Sequence, residues 1–255
     1  LKIIKPCSLC PPLLNQERGT KGERLKTMRI LGIDTSTMTA GIGIVEDDQV
    51  LIDLKYDVKI TYSEVLLSTI DLALKTIGLE REKLDGFAVS IGPGSFTGLR
   101  IGLATVKGLC FASGKPLATV SSLDALASLS LFCRYPVVPL LDAKKNQVYA
   151  AIYDTGGGNL KRKSEYLVVD IEELIKNISS KTLFVGPAVR VYQEDLIRFL
   201  GDKAYFAPNE QSLPSGACVA RLGLSRIISG QIEDITDLEP IYLRKSEAEL
   251  KFKKC

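Results

Sequence analysis

A chain of 255 residues, 45% hydrophobic and 25% charged, has the make-up of an ordinary globular protein and room for one large or two medium lobes. No apolar run approaches the ~20 residues of a membrane helix, and the absence of histidine removes Ser/His and Cys/His nucleophile pairs, histidine metal sites and the usual base near neutral pH. The net charge of +3 is unevenly placed: residues 1–27 carry +4 and residues 244–255 carry +3, so the body is −4 and offers no evident nucleic-acid platform.

Residues 1–27 mix Pro6, Pro11 and Pro12 with polar residues, without period, and are read as a disordered leader or an upstream extension. They lack the apolar centre of a signal peptide, so the cytoplasm is the expected location. Cys7 and Cys10 form an isolated pair among six scattered cysteines, and no metal site is assigned to them. Residues 29–34 form a buried strand ending in Asp34-Thr35-Ser36-Thr37. Two further strands, 40–45 and 50–56, alternate or run apolar around the polar turn 46–49, so three antiparallel strands open the fold. Over residues 63–79 the period changes to helical, with Leu66, Ile70, Ala73 and Ile77 on one stripe, Leu67 and Leu74 on another, and Ser63 as the cap. So wide an apolar arc predicts either a second buried face or a helix sunk deep in its own lobe.

The run Gly92-Pro93-Gly94-Ser95-Phe96-Thr97-Gly98-Leu99-Arg100-Ile101-Gly102 follows an apolar strand at 87–91 and opens into a helix that extends to residue 112. Three glycines and a proline in seven residues fit only a turn, and Ser95 or Thr97 can cap the helix. No Gly-Lys-Ser/Thr closes the run, so it is not a Walker loop. Between 98 and 112 the only charges are Arg100 and Lys107, while Gly98, Gly102 and Gly108 keep other faces flat. Interior glycine costs ~1 kcal/mol relative to alanine, which predicts close approach by the helix beginning at Ser63, by another subunit, or by both. A strand at 116–120 and a helix at 121–131, capped by Ser121 or Ser122, close an amino-terminal lobe assigned to 28–132. The carboxy-terminal lobe, 133–243, takes strands at 136–142, 147–153 and 160–169, with Asp154-Thr155-Gly156-Gly157-Gly158 as a loose surface turn. Helices at 171–178, 189–200 and 215–228 and a strand at 182–185 complete it, before the basic tail 244–255.

This order resembles one lobe of the actin, sugar-kinase and heat-shock-ATPase fold followed by a second: an α/β architecture of two lobes, each a mixed sheet flanked by helices. More narrowly, Ile33-Asp34-Thr35-Ser36-Thr37, Ser63-Glu64-x-Leu66-Leu67, the glycine run, Ser121-Ser122-Leu123, Asp142-Ala143-Lys144-Lys145-Asn146-Gln147-Val148-Tyr149 and Pro240-x-Tyr242-Leu243-Arg244 resemble the TsaB (YeaZ) family, in family order, from Met28 to about Leu250. The resemblance implies a catalytically silent relative of TsaD, which transfers a threonylcarbamoyl group to the tRNA adenosine beside the anticodon. The implied partners are TsaD and the TsaE ATPase, with TsaC making the threonylcarbamoyl-adenylate, tRNA reached through the complex, and a homodimer when the chain is alone. The paired histidines of TsaD are missing, and the histidine often found before Ser-Glu in TsaB is Tyr62 here.

The interface residues expected from this reading are Tyr62, Ser63, Leu66, Leu67, Ile70, Leu74, Arg100, Leu103 and Lys107. Asp34, Thr35, Gly92, Gly94, Ser95 and Thr97 form a degenerate phosphate site, with Lys144 and Lys145 where a second phosphate turn would need glycine. No catalytic residue, metal or cofactor is assigned, beyond weak nucleotide binding at the interface of the complex. The alternative is a small-molecule kinase or ATPase acting through Asp34 and the glycine turn; a peptidase is disfavoured by the missing histidines.

Overall fold

The computed structural model describes residues 27–57 and 62–244; the leader with its Cys7/Cys10 pair and the tail beyond Arg244 lie outside them. In chain order the elements are β1 (Arg29–Asp34), β2 (Thr39–Glu46), β3 (Gln49–Asp57), α1 (Tyr62–Thr76), β4 (Gly86–Ser90), α2 (Phe96–Ser113), β5 (Leu117–Val120) and α3 (Ser122–Ala127). They continue with β6 (Val137–Lys144), β7 (Gln147–Ala150), β8 (Tyr153–Asp154), β9 (Lys161–Arg162), β10 (Leu167–Asp170), α4 (Ile171–Lys176), β11 (Thr182–Val185), α5 (Val189–Leu200), β12 (Ala204–Phe206) and α6 (Gly216–Ile228).

Two mixed sheets result. The first has the order β3-β2-β1-β4-β5, antiparallel at β1 to β3 and parallel from β1 through β4 to β5. The second has the order β10-β7-β6-β11-β12, with β8 and β9 added beside β6. Side chains alternate across a strand, and both faces of each sheet are covered. Leu31, Ile33, Phe87 and Val89 join Leu66, Ile70, Leu74 and Leu103 under α1 and α2. Their neighbours Ile30 and Ala88 point to the other face and pack with Ala217, Val219, Ala220 and Leu224 of α6. In the second sheet Val138 and Leu140 face α4 and α5, while Val137 and Leu141 face Leu123 and Leu126 of α3.

The helices therefore cross the boundary expected near residue 132. α3, placed by sequence in the first lobe, covers the second sheet, and α6, placed in the second, returns to cover the first. Each sheet has an apolar face that its own consecutive helices leave bare, and burial of that face sets the connection. The strand expected at 160–169 is split into β9 and β10, because between them Ser164 leaves the ladder and its hydroxyl accepts from the Ile152 amide at 2.9 Å.

Beyond α6 the chain runs back over the first lobe as a strap. The Glu233 amide donates to the Leu117 carbonyl at 2.8 Å, Lys107 Nζ to the Thr236 carbonyl at 3.3 Å and the Ile241 amide to the Ile91 carbonyl at 2.7 Å. The Tyr242 ring then stacks on Phe96, with centroids 4.7 Å apart and planes within 6°. Arg244 finally donates to the Ala143 carbonyl of the second lobe.

Candidate functional site

The two turns singled out in the sequence dock on each other. Asp34 ends β1, and its Oδ1 accepts the Ser36 amide at 2.8 Å, the geometry of an aspartate-led turn. Thr35 is buried and donates its hydroxyl to the Gly98 carbonyl at 2.8 Å, while the Ser95 amide donates to the Ser36 carbonyl at 2.7 Å. Ser95 is the cap: its Oγ accepts from the Gly98 amide. Thr97 lies exposed in the first turn of α2. Gly92 has φ of 112°, open to glycine, and its carbonyl accepts the Ser122 amide at 2.8 Å. Ser121 caps α3, its Oγ accepting from the Leu123 amide.

The glycines of α2 meet something other than a helix. A Cβ on Gly98 would run into the Thr35 carbonyl oxygen, and one on Gly102 into the Thr35 hydroxyl. The flatness expected to admit a neighbouring helix is thus used by the Asp34-Thr35-Ser36 turn. At Gly108 a Cβ would meet nothing within 4 Å among the described residues.

Asp34 is wholly buried, and burial pushes its carboxyl above the usual carboxylate range, partly offset by the amide and hydroxyl of Ser36 and the hydroxyl of Ser90. Oδ2 has no hydrogen-bond partner of good geometry among the described residues, nor do the hydroxyls of Ser36, Ser90 and Ser122. The sign of the linkage follows. A raised carboxylate pKa contributes stability that is complete below the ordinary value near 4 and is lost as pH rises through the folded value. Asp34→Asn is therefore expected to raise the urea midpoint at pH 8 relative to the native chain, with the difference vanishing toward pH 4.

Gly94 opens onto the cleft between the lobes, facing Asp142 and Lys144 across it. The second turn there is unlike a phosphate loop. Lys144, Lys145 and Asn146 all have φ between 56° and 64°, and the Lys144 ammonium and amide are both held by the Asp142 carboxylate at 2.9 and 2.8 Å. A metal-bound nucleotide fits poorly: Asp34, the acidic group that would face it, is wholly buried, and the opposite turn presents lysine and asparagine rather than glycine. Burial pushes the Cys110 thiol up to about 12, so it is no nucleophile near neutral pH. The Asp154-to-Gly158 turn is tighter than expected, because Thr155 is buried, with its hydroxyl donating to the Ser130 carbonyl at 2.9 Å.

The interface residues divide. Leu66, Ile70, Leu74 and Leu103, expected at a partner surface, are core residues of the first lobe, because the wide arc of α1 sinks into the groove between sheet and α2. Leu67 is exposed. Arg100 and Lys107 hold the strap, Arg100 Nε donating to the Tyr242 hydroxyl at 2.8 Å. Ser63 falls inside the first turn of α1, which begins at Tyr62, so it is not the cap; nothing further is described of these two side chains. Sequence reasoning missed Leu72 and Phe111, exposed by 58% and 84%. Phe111 could have been found by projecting α2, where it lies opposite the buried stripe Leu99, Leu103, Val106 and Cys110, in line with Ala104 and Gly108.

Two mixed sheets, each covered by helices, with an aspartate turn and a glycine turn meeting at the interlobe cleft, define the actin, sugar-kinase and heat-shock-ATPase class. Residues 57–252 match the family model described as TsaD, tRNA N6-adenosine threonylcarbamoyltransferase. The chain is 30% identical over 228 residues to the tRNA threonylcarbamoyladenosine biosynthesis protein TsaB of Bacillus subtilis, covering 88% of this chain and 98% of that one. The Escherichia coli protein of the same name is 25% identical, with 87% and 96% covered. The solved YeaZ from Pseudomonas aeruginosa superposes with a TM-score of 0.73 at 23% identity, over 85% of this chain and all of that one. The chain belongs to the TsaB (YeaZ) family, whose members are named for tRNA threonylcarbamoyladenosine biosynthesis. Among the described residues no helix is long and apolar enough to cross a membrane.

Proposed function

We propose that this chain is a non-catalytic subunit that binds a TsaD-type catalytic subunit and activates it for threonylcarbamoylation of the tRNA adenosine next to the anticodon. One observation carries the reading: the outer stripe of α2, Ala104, Gly108 and Phe111, is exposed and uncharged, with Gly108 open to solvent and Phe111 84% exposed. Contiguous apolar surface of this kind marks interaction sites. Leu67 and Leu72 are likewise exposed on α1, which packs beside α2. A helix with a flat glycine position accepts a partner helix at close range, and the same face would serve self-association when the partner is absent. A TsaE-type ATPase joins the assembly, tRNA reaches the catalytic subunit, and nucleotide binds weakly at the interface of the complex rather than at Asp34. Reconstitution of tRNA modification with TsaC, TsaD and TsaE tests the proposal: omission of this chain should stop threonine incorporation, and undiminished incorporation without it would refute the role.

A further inference from the structure

We infer that the outer end of the second sheet binds an RNA strand, so that this chain contacts tRNA directly and not only through its partner. The inference rests on the tRNA-modification reading above.

Strand register gathers the residues. Leu183 of β11 pairs with Val137 of β6 and with Tyr205 of β12, so Arg134, Tyr135, Lys181 and Lys203 emerge together where these parallel strands begin. Tyr153 pairs with Val137 on one side and with Arg162 on the other, which brings Lys161, Arg162 and Lys163 to the same end. All six cationic residues are exposed, and Asp154, Glu165 and Asp202 stand against them. The residues from 28 to 243 sum to −4, so this net positive end is segregated charge rather than the average of the surface.

The aromatic residues decide the class of ligand. Tyr135 and Tyr205 stack with centroids 5.0 Å apart at 26°. The Arg134 guanidinium lies 4.8 Å from the Tyr135 centroid, Lys181 Nζ 5.8 Å from that of Tyr205 and Arg162 3.9 Å above Tyr166. Arg134 and Lys163 line one shallow depression with Asp154. Cations held beside ring planes offer phosphate contacts and stacking surfaces for unpaired bases in one place. An acidic polypeptide would use the charge and leave the rings idle.

The location allows both roles at once. β6 carries the chain from this end to Lys144 at the cleft, about 25 Å away at ~3.3 Å per residue, and the α2 face belongs to the other lobe.

The test is fluorescence anisotropy of a labelled, unmodified tRNA transcript titrated with the full chain at several salt concentrations. The triple variant Arg134→Glu, Lys163→Glu, Lys181→Glu should weaken binding about tenfold or more and flatten the salt slope by about 3, one unit for each lost phosphate contact. The milder pair Arg134→Gln, Lys181→Gln should give an intermediate shift at an unchanged melting temperature. Native affinity and salt slope in the triple variant would overturn the inference. So would an equal loss from reversing Lys75, Lys83 and Lys176, or a triple variant that loses polyglutamate but keeps tRNA. The assay contains no partner subunit, so its outcome is separate from that of the reconstitution.

Discussion

Phe111→Glu is expected to cut affinity for a TsaD-type subunit by about thirtyfold or more, the ~2 kcal/mol typical of a central aromatic anchor. A lone exposed apolar side chain needs no explanation. Phe111 is different because Gly108 and Ala104 continue its stripe and nothing among the described residues covers it. Since the ring is 84% exposed, the same substitution should leave the melt of the isolated chain nearly unchanged, within the ~0.5 kcal/mol usual at surface sites. Gly108→Ala separates the two properties further. Its Cβ meets nothing among the described residues, so helix propensity alone should add ~0.5–1 kcal/mol of stability. Calorimetric titration against the partner, beside thermal melts, reads both effects.

Gly98→Ala should have the opposite profile, destabilising the chain by about 3 kcal/mol, at the upper end for overpacking. The new Cβ would collide with the Thr35 carbonyl oxygen, which is backbone and cannot swing away. Relief requires parting the first turn of α2 from β1, which breaks the Thr35 hydroxyl to Gly98 carbonyl bond and loosens the Ser95 amide to Ser36 carbonyl bond. A fall in the urea midpoint with unchanged slope would show a pure stability effect; a native midpoint would contradict this packing.

Much of the architecture was legible because it is written locally. β1 is a short apolar run, β2 and β3 alternate or run apolar around a polar turn, and the glycine run followed by Ser95 specifies a turn and a capped helix by backbone chemistry alone. What periodicity could not say is how deep a helix sits. Leu66, Ile70 and Leu74 recur at intervals of four and look alike whether they meet a partner or a sheet. Contacts made across long stretches of chain were equally invisible. Arg100 and Lys107 have the appearance of free charges on a docking face until the strap arrives from residues 236 and 242. α6 follows the second lobe in sequence and belongs to the first because Ile30 and Ala88 leave that face open. The basic end of the second sheet was hidden by summing charge over the body, which cancels it against an acidic remainder.

The central claim is that this molecule acts by being held on its α2 face and not by chemistry at Asp34. The initial rate of threonine incorporation into tRNA, measured in the reconstituted system at a chain concentration near the native dissociation constant, tests it most directly. The expected result is a native rate with Asp34→Asn and a rate near that of the omitted chain with Phe111→Glu. A dead Asp34→Asn beside a fully active Phe111→Glu, both folded, would contradict the account.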